Sequence, residues 1–197
     1  DGASTKDILD IAEKSVYAIY DETQGQRQGF KKIRDLMPGI IDRLDTLSKS
    51  DNPITGVPSG FGELDRFTAG LQKGDLIIVA GRPSMGKTSF AMNIAENAAV
   101  SHKVPVGVFS MEMSSDQLSI RMLSSIGRIN QTRLRTGNLN GEDWSRVNSA
   151  GTILSEAPIW VDDLGSLSPL ELRARARRLK REHNIGLIVI DYIQLMN

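Results

Sequence analysis

The sequence predicts an α/β fold in which a mostly parallel β-sheet is flanked by helices. The first reason is the stretch Gly81-Arg82-Pro83-Ser84-Met85-Gly86-Lys87-Thr88, which matches G-x-x-x-x-G-K-S/T, the phosphate-cradling P-loop. Leu76-Ile77-Ile78-Val79-Ala80 precedes it as a short apolar run suited to a buried parallel strand. Phe90-Ala91-Met92-Asn93-Ile94-Ala95 follows with the composition of a helix packed on a sheet. The second reason is alternation: apolar runs at 104–110, 159–163 and 186–191 are separated by amphipathic stretches, the order of right-handed βαβ units. The third is composition, 40% hydrophobic and 24% charged over 197 residues, which suits one full domain with a small appendage.

Taken in order, residues 6–22 place Leu9, Ala12, Val16, Ile19 and Tyr20 at helical spacing, with Ser4-x-x-Asp7 as a cap. Residues 24–29 are polar and glycine-punctuated, a linker. A short helix is predicted to start at Pro38, a residue favoured at the first helical position, and to run to about residue 49. Its stripe of Ile40, Ile41, Leu44 and Leu47 must pack either on its own domain or on a neighbouring subunit, because three turns do not hold alone in water. A second linker covers 50–53, and the globular domain begins near Ile54. Residues 56–62 and 69–75 read as turns. After the P-loop helix, 104–110 is a strand and 115–128 a helix with Leu118, Met122, Leu123 and Ile126 on one face. Residues 129–141 read as irregular, 142–154 as a helix and 159–163 as a strand. Ser168-Pro169-Leu170-Glu171 is a capping box with proline at the first position, opening a helix to His183. Residues 186–191 form the last strand.

Composition also excludes. Basic and acidic residues number 24 each, so any nucleic-acid surface must be local. There is no cysteine, hence no disulfide and no cysteine-based zinc site. No apolar run approaches the ~18 residues of a membrane span. His102 and His183 show no ligand spacing and read as surface residues.

The chemistry follows from residue types. Gly81 and Gly86 allow the tight turn that brings backbone N–H groups to a polyphosphate, with Pro83, Ser84, Met85 and Ser89 completing the cradle. The helix starting near Lys87 points its free N–H groups at the same anion. Lys87 is placed to reach the β- and γ-phosphates of ATP, and the Thr88 hydroxyl to ligate Mg²⁺. A second acid must hold the metal side. Asp191 ends an apolar run that reads as a fully buried central strand; Asp162 and Asp163 end a shorter one carrying Trp160 and are the rivals. Glu112, just past the second strand, is the candidate to activate the attacking water, with Met111 and Met113 expected to desolvate it.

These segments carry a resemblance. Gly81 to Thr88, Phe109-Ser110-Met111-Glu112-Met113 and Asp191-Tyr192-Ile193-Gln194-Leu195-Met196 closely resemble the family of bacterial replicative DNA helicases, DnaB. Thr68-Ala69-Gly70-Leu71-Gln72, Arg135-Thr136-Gly137-Asn138-Leu139 and Asp143-Trp144 look like the same family. The resemblance implies a RecA-like P-loop ATPase core in a homohexameric ring that moves along single-stranded DNA, uses ATP and Mg²⁺, and works with primase and a helicase loader in the bacterial cytoplasm, away from membranes. It implies Glu112 as the catalytic carboxylate with Lys87, and Asp191 with Thr88 on the metal side. It implies that 1–23 end a mostly absent N-terminal helical domain, that 24–53 are a linker whose helix at 38–49 docks on the adjacent subunit, and that 54–197 hold the ATPase domain without its C-terminal part, where the family's DNA-binding loops and arginine finger lie. A filament-forming, RecA-like recombinase is the alternative; a small-molecule P-loop kinase is a third reading. The basic helix 168–183 places Arg173, Arg177 and Arg181 along one face, with Arg175 and Arg178 beside it, and reads as a solvated or intersubunit face before a phosphate-contacting one.

Overall fold

The computed structural model describes Ser15 and residues 30–49, 53–82 and 84–196. The helix expected at 6–22 (Ser15 apart), the linker at 24–29 and most of that at 50–53 lie outside these residues. The chain divides into two compact units, Asp1–Asp51 and Asn52–Asn197.

In the first unit, α1 spans Ile33–Ser48 and holds Pro38 in its interior. The expected start at Pro38 is thus more than a turn late. Ile33, Leu36 and Met37 continue the spacing of Ile40, Ile41, Leu44 and Leu47 back through the proline, and the longer stripe decides the helix start. Pro38 only withholds one N–H from the carbonyl of Arg34. No residue of α1 is buried, and Leu44 is 59% exposed.

The second unit runs α2 (Gly62–Thr68), α3 (Lys87–Glu96) with a π-helical continuation (Asn97–Ser101), β1 (Val106–Ser110), α4 (Ser115–Gly127), α5 (Gln131–Thr136), α6 (Gly141–Ser155), β2 (Ile159–Asp162), α7 (Pro169–His183) and β3 (Leu187–Asp191), closed by a 3₁₀ turn at Ile193–Leu195. Among the described residues the sheet has the order β2-β1-β3, all parallel. Three helices start in full capping boxes: Ser114 with Gln117, Asn140 with Asp143, and Ser168 with Glu171. Two helices depart from expectation. Helix α2 falls between the two stretches that read as turns, where the sequence suggests no element, and α5 inside the stretch that reads as irregular; each is under two turns and polar, so neither shows a usable hydrophobic period.

Strand β1 explains the layering. All five of its residues are buried. Val106 and Val108 pack with Met92, Ala95, Ala98 and Ala99 of α3 and its continuation, and with Leu118 and Met122 of α4. Phe109, on the opposite face by the alternation of a strand, joins a second cluster with Leu167, Leu172 and Ala176 at the start of α7. Gly107 lies on that face too, where a Cβ would come within 2.6 Å of Leu179 Cδ2 and would push that side chain aside.

Two strand expectations are corrected. Leu76–Ala80 has no regular secondary structure and pairs with no strand, and Leu76 is 86% exposed. An apolar run becomes a strand only when a ladder and a covering face are present, and neither is supplied here. For the same reason β3 is an edge among the described strands, with Leu187, Val189 and Ile190 half-buried and Ile188 exposed, whereas β1 holds the central, fully buried position.

Two buried carboxylates differ in their support. Burial pushes the Asp65 carboxyl up, but N–H donation from Ser59 at 2.8 Å and Gly60 at 3.1 Å outweighs it and holds the group below its ordinary value. Glu96, on α3 in the core, accepts only the Ser125 hydroxyl at 2.7 Å, and its Oε1 is buried without a partner among the described residues. Burial pushes this carboxyl up to about 7, against the lowering effect of Ser125. Because the folded state holds the proton more tightly than the unfolded chain, stability is highest below the unfolded value of 4.5 and falls as pH rises to about 7. Glu96→Gln is therefore expected to raise the melting temperature at pH 8 by a few degrees and to leave it nearly unchanged at pH 4.5. Solvent screening reduces the full linkage to about 1–2 kcal/mol. Thermal unfolding at the two pH values checks this; an equal shift at both would reject a protonation origin.

Candidate nucleotide-binding site

The glycine loop ends at the N-terminus of α3. Gly86 is the cap residue at φ 87°, a left-handed conformation that glycine adopts without a Cβ penalty, and Lys87 is the first helical residue. Ser84 also has positive φ, 63°. Gly81 does not, so of the two motif glycines it is Gly86 that makes the left-handed turn. Gly81, Ser84, Met85 and Gly86 are exposed, Lys87, Thr88 and Ser89 half-buried, and Pro83 lies outside the described residues. The first-turn N–H groups of α3 have no intrahelical partners, which makes this end a cradle for an anion.

Four contacts connect this loop, the end of β3 and the turn after β1. The Lys87 ammonium sits 5.8 Å from the centre of the Tyr192 ring, one residue past Asp191. The Asp191 carbonyl accepts the Met111 N–H at 2.7 Å, carrying the β1–β3 ladder one step beyond the Ser110–Asp191 pair and up to Glu112. On the far side, Arg121 of α4 donates through Nη1 to Ser89 Oγ at 2.5 Å and through Nη2 to Met113 Sδ at 3.7 Å. The loop, the end of β3 and the turn after β1 thus meet at one edge of the sheet, the carboxyl ends of β1 and β3, where open α/β sheets bind ligands.

The acids differ in environment. Asp191 is 8% exposed, and its Oδ2 is buried with no hydrogen-bond partner among the described residues. An orphaned buried carboxylate oxygen beside a phosphate cradle fits a site that completes itself with a hydrated Mg²⁺, which takes few protein oxygens and keeps several waters. Glu112 is exposed, and the desolvation expected of it is absent because Met111 turns into the core and Met113 is held by Arg121. Both rivals are engaged elsewhere. Asp162 pairs with Arg175 at 2.9 Å. Asp163 accepts the Ser115 N–H at 2.7 Å at the start of α4, which holds it below its ordinary value. A cleft of about 310 Å³ lined by Phe109, Trp160, Asp162, Arg175 and Leu179 lies on the α7 side of the sheet. Along α7, Arg178 pairs with Glu182 at 2.9 Å, and His183 stays exposed while stacking on Trp160 at 4.3 Å.

Residues 56–197 match the family described as the DnaB-like helicase C-terminal domain. The chain belongs to the DnaB-like helicases. It is similar to the protein named replicative DNA helicase DnaB of Pasteurella multocida (strain Pm70), at 48% identity over 99% of this chain and 43% of that protein. The protein of the same name from Geobacillus stearothermophilus is 46% identical over 100% of this chain and 44% of its own length. The chain spans less than half the length of these relatives. Among solved structures it is similar to one described as an ATPase domain, with a TM-score of 0.78 and 30% identity over 86% of this chain and 60% of that one. A DnaB-like replicative helicase described with its interactions with primase gives a TM-score of 0.74 and 28% identity over 95% of this chain and 47% of that one. The fold is thus that of RecA-like helicase ATPase domains, and membership of the DnaB-like helicases carries nucleotide and metal use with it. Sequence reasoning missed Arg121 in this DnaB-like chain; its signal is an arginine one turn after Leu118 and next to Met122, both buried on the apolar face of α4. Among the described residues, no helix is long and apolar enough to cross a membrane.

Proposed function

We propose that this chain is the ATP-binding part of a ring-shaped replicative DNA helicase that hydrolyses ATP to translocate on single-stranded DNA and unwind duplex. The observation that supports this reading most is the junction at the sheet edge, where the P-loop helix, the Asp191 end of β3 and the Glu112 turn are tied together through Tyr192, Met111 and Arg121. Gly81 to Ser89 cradle the phosphates with backbone N–H groups, and Lys87 holds the β- and γ-phosphates. Thr88 and Asp191 would hold Mg²⁺, which when bound supplies charge neutralisation on the phosphate oxygens. Glu112 orients the attacking water and takes its proton; its solvent-exposed position leaves the carboxylate open to that water. The full-length protein tests the reading: single-stranded DNA should stimulate its ATP turnover, and it should separate a forked duplex. Failure at both would overturn the helicase assignment, and filaments in place of rings under the electron microscope would favour the recombinase.

Assembly rests on α1. Its apolar stripe, seven residues from Ile33 to Leu47, is the surface that docks on an adjacent copy in a homohexamer. Each of these side chains contributes ~1.5–3 kcal/mol on full burial before ordering costs. Leu44→Asp in the full-length protein is expected to weaken oligomerisation and slow ATP turnover together, read by sedimentation beside the ATPase rate. An intact hexamer would sink the docking role. Primase, which the structural relative contacts, and a loader are the further partners of this reading, with the bacterial cytoplasm at replication forks as its setting.

A further inference from the structure

We propose that Arg121 is a positioning residue that sets the register between the P-loop helix and the Glu112 turn; this rests on the nucleotide-hydrolysis reading above. The guanidinium is the direct side-chain bridge seen between those two elements among the described residues. One end grips Ser89, the residue after Thr88, at 2.5 Å, and the other reaches the sulfur of Met113, the residue after Glu112, at 3.7 Å. The planar fork of arginine makes this possible, because its two Nη groups hold a fixed spacing and angle. A flexible ammonium offers one point of attachment and fixes neither.

The site is built for it. Arg121 is half-buried, one turn after Leu118 and adjacent to Met122, both core residues. Its Nε is buried and has no acceptor among the described residues. An arginine that leaves a buried N–H unpaired carries a stability cost, and its sulfur acceptor is a weak one. If stability alone mattered, an apolar residue between Leu118 and Met122 would serve the packing with no orphaned donor. What the arginine offers instead is geometry. Ser89 belongs to the first turn of α3, whose N–H groups face the phosphates, and Met113 is covalently next to the carboxylate that must meet the water beside those phosphates. An error of an ångström between the two is felt in the rate, since misplacement of that size can cost about 10²-fold.

The test uses the full-length protein with Arg121→Lys and Arg121→Gln, and with Ser89→Ala to remove the acceptor while leaving the arginine. The readouts are kcat and KM for ATP, equilibrium binding of a fluorescent ADP analogue, and thermal unfolding. For both Arg121 variants kcat is expected to fall about 10- to 100-fold while nucleotide affinity stays within about threefold, the signature of a lost transition-state arrangement. Ser89→Ala should lower kcat in the same direction, and combining it with Arg121→Gln should add little. A kcat for Arg121→Lys within about threefold of the parent would overturn the proposal, as would equal losses in kcat and affinity. Unfolding of both Arg121 variants would also overturn it, by assigning the arginine to the core. Lys87→Ala and Glu112→Gln run alongside separate the two readings. If they retain turnover, the hydrolysis assignment itself falls; if they lose it while the Arg121 variants do not, only the positioning role falls.

Discussion

Lys87→Ala in the full-length protein is expected to abolish measurable ATP hydrolysis with little change in fold. Lys87 is the first residue of α3, so its ammonium adds a full positive charge to an end that already carries the partial charge of free N–H groups. Removing one preorganised charge-stabilising donor at a reacting centre costs about 10²–10³-fold in kcat, and the phosphates here would lose the point charge nearest the transferring group. The folded state loses little. The contact with the Tyr192 ring, at 5.8 Å, is worth at most about 1 kcal/mol at a partly exposed position. Turnover in a steady-state assay and a melting curve on the same sample check both halves. Parent-level hydrolysis in a folded variant would remove the P-loop assignment.

Glu112→Gln is expected to keep nucleotide binding and lose turnover by about 10²–10⁴-fold, the range for a missing general base. The substitution preserves size and removes the charge that polarises water. Glu112 is exposed, so the exchange should alter stability by no more than about 0.5 kcal/mol. Binding of a fluorescent nucleotide beside single-turnover hydrolysis separates the two effects. Turnover within about tenfold of the parent would show that another group is the base. Asp163 is the next to test, since Asp162 is committed to the Arg175 cation while Asp163 is held by Ser115 alone among the charged and polar side chains described around it, with no cation on it.

What the sequence makes legible is what its own neighbours decide. Ser168-Pro169-Leu170-Glu171 announces α7 to the residue, because a capping box closes within four positions. The places of Lys87, first in its helix, and Asp191, last in its strand, are legible because a loop before a helix and an acid after an apolar run mark those positions. Where the outcome depends on distant parts, legibility fails. Leu76–Ala80 has every mark of a strand, yet a strand exists only with a partner, and no local pattern states whether one is in place. Pro38 reads by its commonest role and is overruled by three apolar residues before it. Helix α5 escapes notice although Asn130 and Gly137 flank it, one accepting from Thr132 and Arg133, the other closing the helix in left-handed conformation. Arg121 is faint because an arginine on a helix is ordinarily a surface residue, and its place beside Leu118 and Met122 gains meaning only once α4 packs against α3.

The bare run Leu76–Val79 has a consequence for how the protein behaves in a tube. Leu76, Ile77, Ile78 and Val79 are all exposed and follow one another without charge or proline. Such a segment has the composition of cross-β stacking. Lys73, Asp75 and Arg82 are the flanking charges that hold this tendency down, in the manner of gatekeepers. Neutralising them would lower the concentration at which the protein clouds, long before it altered any measured melting point.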